Sequence, residues 1–379
     1  MSNTFKTPAM IARDAAVILE DSLVMANLVN RKHEQVLNSK VGTYVDVVKV
    51  PIQTARDFIN DVGTTTANDV TEGSERLQLT EQPYVRVDLS TQEKSLELDD
   101  FAQVVTYPNV LAIKDAIDEH IFDKAHQGCA VNTAGTHGTN PSSLSNIATA
   151  VKELNDNKCP VDGRVGVINS TALASFQQLS NFTSIDYGSG RPAGLQEGSL
   201  GRLLGVDWYW TQNASAITRG DVANATNVYG GTQTGTTLNV DNGSGTSTGT
   251  IYAGASFTIN ADTTVYTVVE VNGAVGIAAS SGAFALTLDQ ALAASPADNA
   301  AITWKTASTG CILYPKMSVC AAIVAPSALE VGSSTFVTDG NVGIRVTMSS
   351  STSTLSDSIV YDTYCGAVMY QRVGAVMQG

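Results

Sequence analysis

Residues 108–127, PNVLAIKDAIDEHIFDKAHQ, constrain this chain more than any other stretch. Val110, Ile113, Ile117, Ile121 and Ala125 fall on one stripe, with Ala116 and His120 beside it. That is the spacing of an amphipathic helix half-buried on a sheet. Pro108 suits a first turn, and Gly128 suits the position just past the last one. At about 1.5 Å per residue the segment makes a rod of roughly 30 Å, a spine for whatever flanks it. Aspartate in place of Ile117, on the apolar stripe, should ruin folding.

Two or three domains of ordinary size fit within 379 residues, and 43% hydrophobic with 15% charged residues is a globular balance. The formal charge of −14, from 36 acids and 22 bases, argues against a chain that wraps nucleic acid, which needs clustered lysine and arginine. No run of about 18 apolar residues exists, so no membrane span is expected. The N-terminus carries acids within its apolar stretch, unlike a signal-peptide core. Cys129, Cys159, Cys311, Cys320 and Cys365 are odd in number and form no CxxC, so neither a zinc ribbon nor a disulfide framework is indicated. Reduced thiols in a cytoplasmic fold are expected.

In chain order, residues 8–31 predict one amphipathic helix: Ile11, Ala15, Ile18, Ser22, Met25 and Val29 share a stripe. It packs on its own domain or crosses to a neighbour. Residues 41–53 and 84–98 alternate as strands and predict a two-stranded ribbon around a long polar link, 56–80. Residues 57–100 hold 11 acids against Arg76, Arg86 and Lys94, a net of −8. They lack the order of a calcium loop, so a charged arm meeting basic groups on a partner is the preferred reading. A helix over 142–157, a strand over 164–168, a helix from 169–170 and a strand over 206–211 suit an α/β or α+β domain. Glycines punctuate 180–205, a loop long enough to be functional.

Residues 213–306 hold only 8 charged residues and read as an inserted all-β module, with strands at 237–240, 250–259, 264–271, 284–288 and 301–304. The tail, 310–379, is too short to build its own core and is expected to complete the sheet begun at 164–168 and 206–211.

Catalytic and metal sites are not indicated. His120, Asp123 and His126 lie on the spine without sharing a tight face, and HExxH is absent. A solvated or partly packed face is expected there, so that His126→Ala does little. His137 has no nucleophile elbow near it. Cys159, beside Lys158, has no matched histidine. The glycine-rich runs around Arg191 and Arg202 lack the GK[ST] of a phosphate loop; with Arg164 these arginines are better candidates for subunit contacts.

The layout then becomes informative. The arm MIARDAAVILEDSLVMANLVNRK, the strand YVDVVKVPIQ, the strand YVRVDLSTQEKSLELDDF entering the spine, GSLGRLLGVDWYW, and the β-module with TIYAGASFTI and VYTVVEVNG together resemble the major capsid (coat) protein of tailed bacteriophages. The fold implied is the HK97-like α+β fold of N-arm, E-loop, spine helix, P-domain and A-domain, with the inserted β-domain of the podovirus-type subfamily. Its divisions fall at 1–40 (N-terminal arm), 41–98 (E-loop with P-domain strands), 99–141 (spine and P-domain), 142–212 (first part of the A-domain), 213–306 (insertion) and 307–379 (remaining A- and P-domain).

The resemblance implies a structural protein without cofactor or metal, assembling in the host cytoplasm into a virion shell. Implied partners are further copies in hexamers and pentamers, a scaffolding protein, a portal protein, packaged double-stranded DNA bound without sequence specificity and, optionally, a decoration protein. A membrane is not among them. An arm starting near Met1 suggests that the scaffold is separate or already removed. Asp14 best matches the scaffold-contacting position of the subfamily. Arg76, Arg86, Glu72, Glu75, Arg191 and Arg202 are candidate interface residues, and Asp241 and Asn242 a candidate contact loop of the insertion. Residues 57–80 lack the lysine that cross-linking relatives use, so no covalent cross-links are expected. The rival readings are an encapsulin-like nanocompartment shell and a secreted β-rich surface or adhesin protein.

Overall fold

In the computed structural model the 108–127 pattern forms a helix of 23 residues, Tyr107–Cys129, entered through a π-turn at Ala102–Thr106. The structure describes residues 8–38, 42–49, 73–90, 102–130, 132–179, 200–217, 226–241, 250–260, 262, 264–271, 277–278, 284–288, 290–305, 308–329, 333–339, 342–351, 356–370 and 373–379. Val110, Ile113, Ile117, Ile121 and Ala125 are all buried, as their spacing requires. Gly128 lies inside the last turn rather than beyond it.

By its contacts the chain divides into two compact units. One comprises Met1–Leu23, Asn30–Lys114 and Val319–Gln371; the other comprises Val24–Val29, Asp115–Ser318 and Arg372–Gly379.

In the first unit the N-terminal helix spans Pro8–Ser22, not 8–31. Ser22 Oγ bonds back to the Leu19 carbonyl at 3.2 Å, a local competitor of the helix ladder. A short 3-10 helix, Met25–Leu28, follows. Ile11, Ala12, Ala15, Ala16 and Leu19 are buried, and the helix packs on strands Ser333–Asp339 and Val342–Ser351. Those strands continue through Ser356–Asp362 to Tyr84–Ser90 in a four-stranded antiparallel sheet.

The expected pairing of the arm strands is thereby corrected. Tyr44–Val48 pairs with Ser74–Gln78, from within the supposed polar link, while Tyr84–Ser90 pairs with the C-terminal Ser356–Asp362. Alternation fixes which face a strand buries but says nothing about its partner. The ribbon buries Val47 and Leu77 against Leu37, Cys320, Ala322 and Val324. Its end runs so close to Gly366 that a Cβ there would sit 2.1 Å from the Gln78 carbonyl oxygen.

The second unit holds two six-stranded sheets. In the mixed sheet the order is Thr133–Ala134, Ala375–Met377, Ile312–Pro315, Arg164–Ile168, Val206–Trp210, Arg202–Leu203. Helices Leu144–Asp156 and Ser170–Gln177 contribute Ile147, Leu154, Ala172 and Phe176 to its core. Ser143 and Asn146 form a capping box at the first of these helices. Among the described residues, two short strands of the tail join this sheet, whereas residues 319–371 belong to the first unit. The expectation for the tail is corrected to that extent, because long-range pairing leaves no local trace in composition.

The other sheet is antiparallel throughout and drawn wholly from 227–304. Its outer strands, Asn227–Val228 and Ile302–Trp304, meet through Val228 N–H to Ala300 O at 3.0 Å and Ile302 N–H to Thr226 O at 3.0 Å. The sheet therefore closes on itself around Val240, Phe257, Tyr266 and Leu286, which protects its edges and lets so few charged residues suffice.

Candidate functional site

The long helix carries polar groups where a purely apolar stripe would leave nothing to hold neighbouring segments. Asp118 is fully buried; its carboxylate accepts from Val24 N–H at 3.1 Å and Met25 N–H at 3.0 Å, the free donors that open the 3-10 helix. Asn213 Nδ2 donates to Asp115 at 2.9 Å and Ser215 Oγ donates to Asp123, so the segment leading into the β-module is tied to the helix at two points. Burial pushes the Asp123 carboxyl up, with the Ser215 bond opposing.

His126 corrects the expectation of a solvated face. It is fully buried, with Nε2 2.7 Å from Ser308 Oγ, which also accepts from Gln378 Nε2 at 3.2 Å. Ser308 and Ile217 form an antiparallel bridge, so His126 holds the exit of the β-module beside its entry. Gln378 further receives Gly138 N–H at 2.6 Å on Oε1 and Asn146 Nδ2 at 3.0 Å on its carbonyl. His126→Ala, instead of doing little, should lower stability by about 2–3 kcal/mol through a cavity and unpaired buried partners, measured by urea unfolding.

The same network makes stability pH-dependent. Burial pushes His126 down from 6.5 to about 4, and burial with Lys124 does the same to His120. The unfolded chain therefore takes up protons below about 6.5 that the folded chain refuses until about 4. Stability should fall as pH drops through that window, and His126→Asn should flatten the fall without abolishing it, because His120 titrates there too. An unchanged slope between pH 7 and 4 in the variant would contradict this.

Asp118→Ala should cost about 2–3 kcal/mol: each orphaned buried N–H costs about 1–3 kcal/mol, but that of the half-buried Val24 can regain water. Asp118→Asn, which keeps an acceptor, should lose less in the same thermal denaturation.

No thiol is activated. Burial pushes the Cys159 thiol up despite the opposing Arg164, and it pushes Cys311 and Cys365 to about 12. Arg164 is itself buried, donating to the Pro160 carbonyl at 2.8 Å and the Cys159 carbonyl at 2.7 Å, so it is not a subunit contact. Among the described residues no group of His, Cys, Asp and Glu is arranged to hold a metal, and no helix is long and apolar enough to cross a membrane.

Of the sequence-predicted interface residues, Arg76, Arg86, Arg202 and Glu75 each meet an oppositely charged residue of the same chain. Arg76 stands opposite Asp46 in register, bonds it at 3.0 Å and places its guanidinium 3.9 Å over the Tyr44 ring. Glu75 pairs with Lys49 at 2.7 Å and Arg86 with Asp88 at 2.9 Å. Such half-exposed pairs within one chain contribute little to stability. Asp14 is on the exposed side of the N-terminal helix, and Asp241 ends strand Thr237–Asp241, opposite Asn227. Arg202 lies on the edge strand of the mixed sheet, 3.7 Å from Asp207. Glu72, Arg191 and Asn242, and most of the glycine-rich 180–205 loop, lie outside the described residues. Sequence reasoning missed Asp118; its signal was an acid directly beside the apolar stripe.

No protein-family model matches this chain, and no curated protein matches it significantly. Solved structures do. A chain of Mycobacterium phage Che8 superposes with a TM-score of 0.52 at 17% identity, covering 94% of this chain and 90% of that one. A chain of the capsid of cyanophage P-SCSP1u reaches 0.49 at 10% identity over 99% and 89%, and one of the bacteriophage PhiM1 mature capsid reaches 0.46 at 9% over 89% and 82%. The chain has the HK97-like α+β fold expected from its layout.

Proposed function

We propose that this chain is the major capsid protein of a tailed phage, a structural subunit whose copies close into an icosahedral shell of hexamers and pentamers around double-stranded DNA. The observation that carries this reading is the end-to-end fold shared with the Mycobacterium phage Che8 chain. The physical chemistry agrees. The two-stranded ribbon packs one face on its own chain and leaves Tyr44 and Val48 exposed on the other, apolar area that a neighbouring subunit would cover. A net charge of −14 makes a wall that does not adhere to DNA. The chemistry found is that of positioning: buried acids and histidine hold segments, and the thiols are neutral.

In this reading residues 41–98 reach across the adjacent subunit, with Arg76, Arg86, Glu72 and Glu75 as contacts, and Arg191 and Arg202 meet a neighbouring A-domain. Asp14 contacts a separate scaffolding protein, and the loop at Asp241 and Asn242 of the β-module contacts a neighbour. A portal protein and, optionally, a decoration protein complete the particle, which is built in the host cytoplasm.

The test is assembly. Purified protein, alone or co-expressed with a scaffolding protein, should yield closed shells by sedimentation and electron microscopy. Chains that stay monomeric under both conditions would sink the proposal. Shells filled with a protein cargo instead of DNA would favour the encapsulin-like alternative.

A further inference from the structure

The mixed sheet of the second unit ends in a hairpin built from Arg202–Leu203 and Val206–Trp210. Its two turn residues, Leu204 and Gly205, have φ of 50° and 79°, the left-handed pair that matches the twist of a tight hairpin. Trp208 anchors it. The indole is buried beside Phe176 and lies over Gly166, where a Cβ would sit 2.7 Å from the ring.

One side of Val206–Trp210 is paired along Arg164–Ile168, from Val165 opposite Asp207 to Ile168 opposite Trp210. Among the described residues the other side is paired at Val206 and Asp207, with Trp208 N–H to the Gly201 carbonyl at 3.0 Å. Among the described residues, the strand partners of Tyr209 and Trp210 are on one side only. Successive strand residues alternate faces, so the Tyr209 ring, 42% exposed, leaves the edge on the face of Asp207 and the Trp210 ring, 48% exposed, on the face of Trp208; Leu204 at the turn is 48% exposed. Exposed tyrosine and tryptophan on the two faces of one rigid edge are of the residue types that dominate many protein contacts.

The charges beside them are self-complementary. Arg202 and Asp207 face each other across the hairpin at 3.7 Å, a loose pair with side chains 61% and 44% exposed. Each can take a better partner of opposite sign, and the same hairpin on another copy presents both signs.

The geometry points to this hairpin as a contact between copies of this chain, with Arg202 of one copy against Asp207 of the next and the Tyr209 and Trp210 rings covered by the contact. The inference rests on the shell reading and deepens it: it assigns the partner of Arg202 and adds Asp207, Tyr209 and Trp210. Complementary charge sets register and excludes wrong approaches, and the aromatic rings supply the buried area.

The experiment uses the full chain under the conditions in which the wild type assembles. Trp210→Ser, at an exposed position, should leave the thermal midpoint unchanged while the assembled fraction falls about tenfold or more. Arg202→Glu and Asp207→Arg should each assemble poorly. When the two variants are mixed, each copy still carries a like-charged hairpin, so no repair within a chain is possible. The mixture should nonetheless regain assembly, because the glutamate introduced in one copy then meets the arginine introduced in the other. The contact is overturned if the single variants assemble like the wild type. It is overturned equally if the mixture stays as poor as its components while the doubly substituted R202E/D207R chain recovers, which would place the pair within one chain. A wild type that never assembles removes the shell reading itself, and this contact with it.

Discussion

Ile117→Asp is expected to abolish folding, and with it any assembly. Ile117 is fully buried midway along the helix Tyr107–Cys129, on the stripe that also buries Ile113 and Ile121. Losing a buried isoleucine costs about 2–5 kcal/mol even when alanine replaces it. A carboxylate placed there must be desolvated without a partner, which adds several kcal/mol or forces it to stay protonated. The total of about 5 kcal/mol or more matches the whole stability of an ordinary domain, about 5–15 kcal/mol. Circular dichroism and solubility of the variant check this. Ile117→Val should remain folded, at a cost of about 0.5–1.5 kcal/mol. If the aspartate variant folded normally, the helix would not be the structural spine.

Asp362→Ala is expected to cost about 3–5 kcal/mol, the usual result of stranding one member of a buried ion pair. Arg345 and Asp362 stand opposite each other on adjacent strands of the first unit and are both buried. Arg345 donates through Nε to Asp362 Oδ1 at 2.9 Å, through Nη2 to Oδ2, and through Nη1 to the Ser327 carbonyl at 2.7 Å. Gln82 Nε2 adds a bond to Asp362 at 2.8 Å, tying in the segment before Tyr84–Ser90. Alanine leaves a buried guanidinium with one partner and frees Gln82. The double replacement Arg345→Met with Asp362→Leu should recover much of the loss, since apolar groups of similar volume replace such pairs at little cost. Thermal denaturation of the two variants decides: equal losses in the single and double variants would mean that packing, not charge, dominates the site.

The two sites differ in how legible they were. Ile117 was readable because helical periodicity is a local property: each stripe position follows from its neighbours three and four residues away. The same locality exposed the strands of the β-module and the helix Leu144–Asp156 within a few residues. Arg345 and Asp362 were invisible, since nothing near either residue announces a partner 17 residues away across a strand pair. His126 was misjudged for a related reason. Its buried polar partner is Ser308, 182 residues distant and itself held by Gln378, which nothing on its own helix announces.

By itself the sequence determined the long helix and its buried stripe, the low-charge β insertion, the acidic balance and the order of parts that resembles a capsid subunit. Those follow from period, composition and turn chemistry, which act over a few residues. The tertiary structure alone decided which strands pair, and it set Ser74–Gln78 against Tyr44–Val48 and Ser356–Asp362 against Tyr84–Ser90. It also decided that Asp118 and His126 are buried tethers and that Arg202 stands on an open edge beside two exposed aromatic rings. The reason is physical. A side chain's burial and charge environment are set by atoms brought to it from far along the chain, and the local pattern carries no record of which atoms those are.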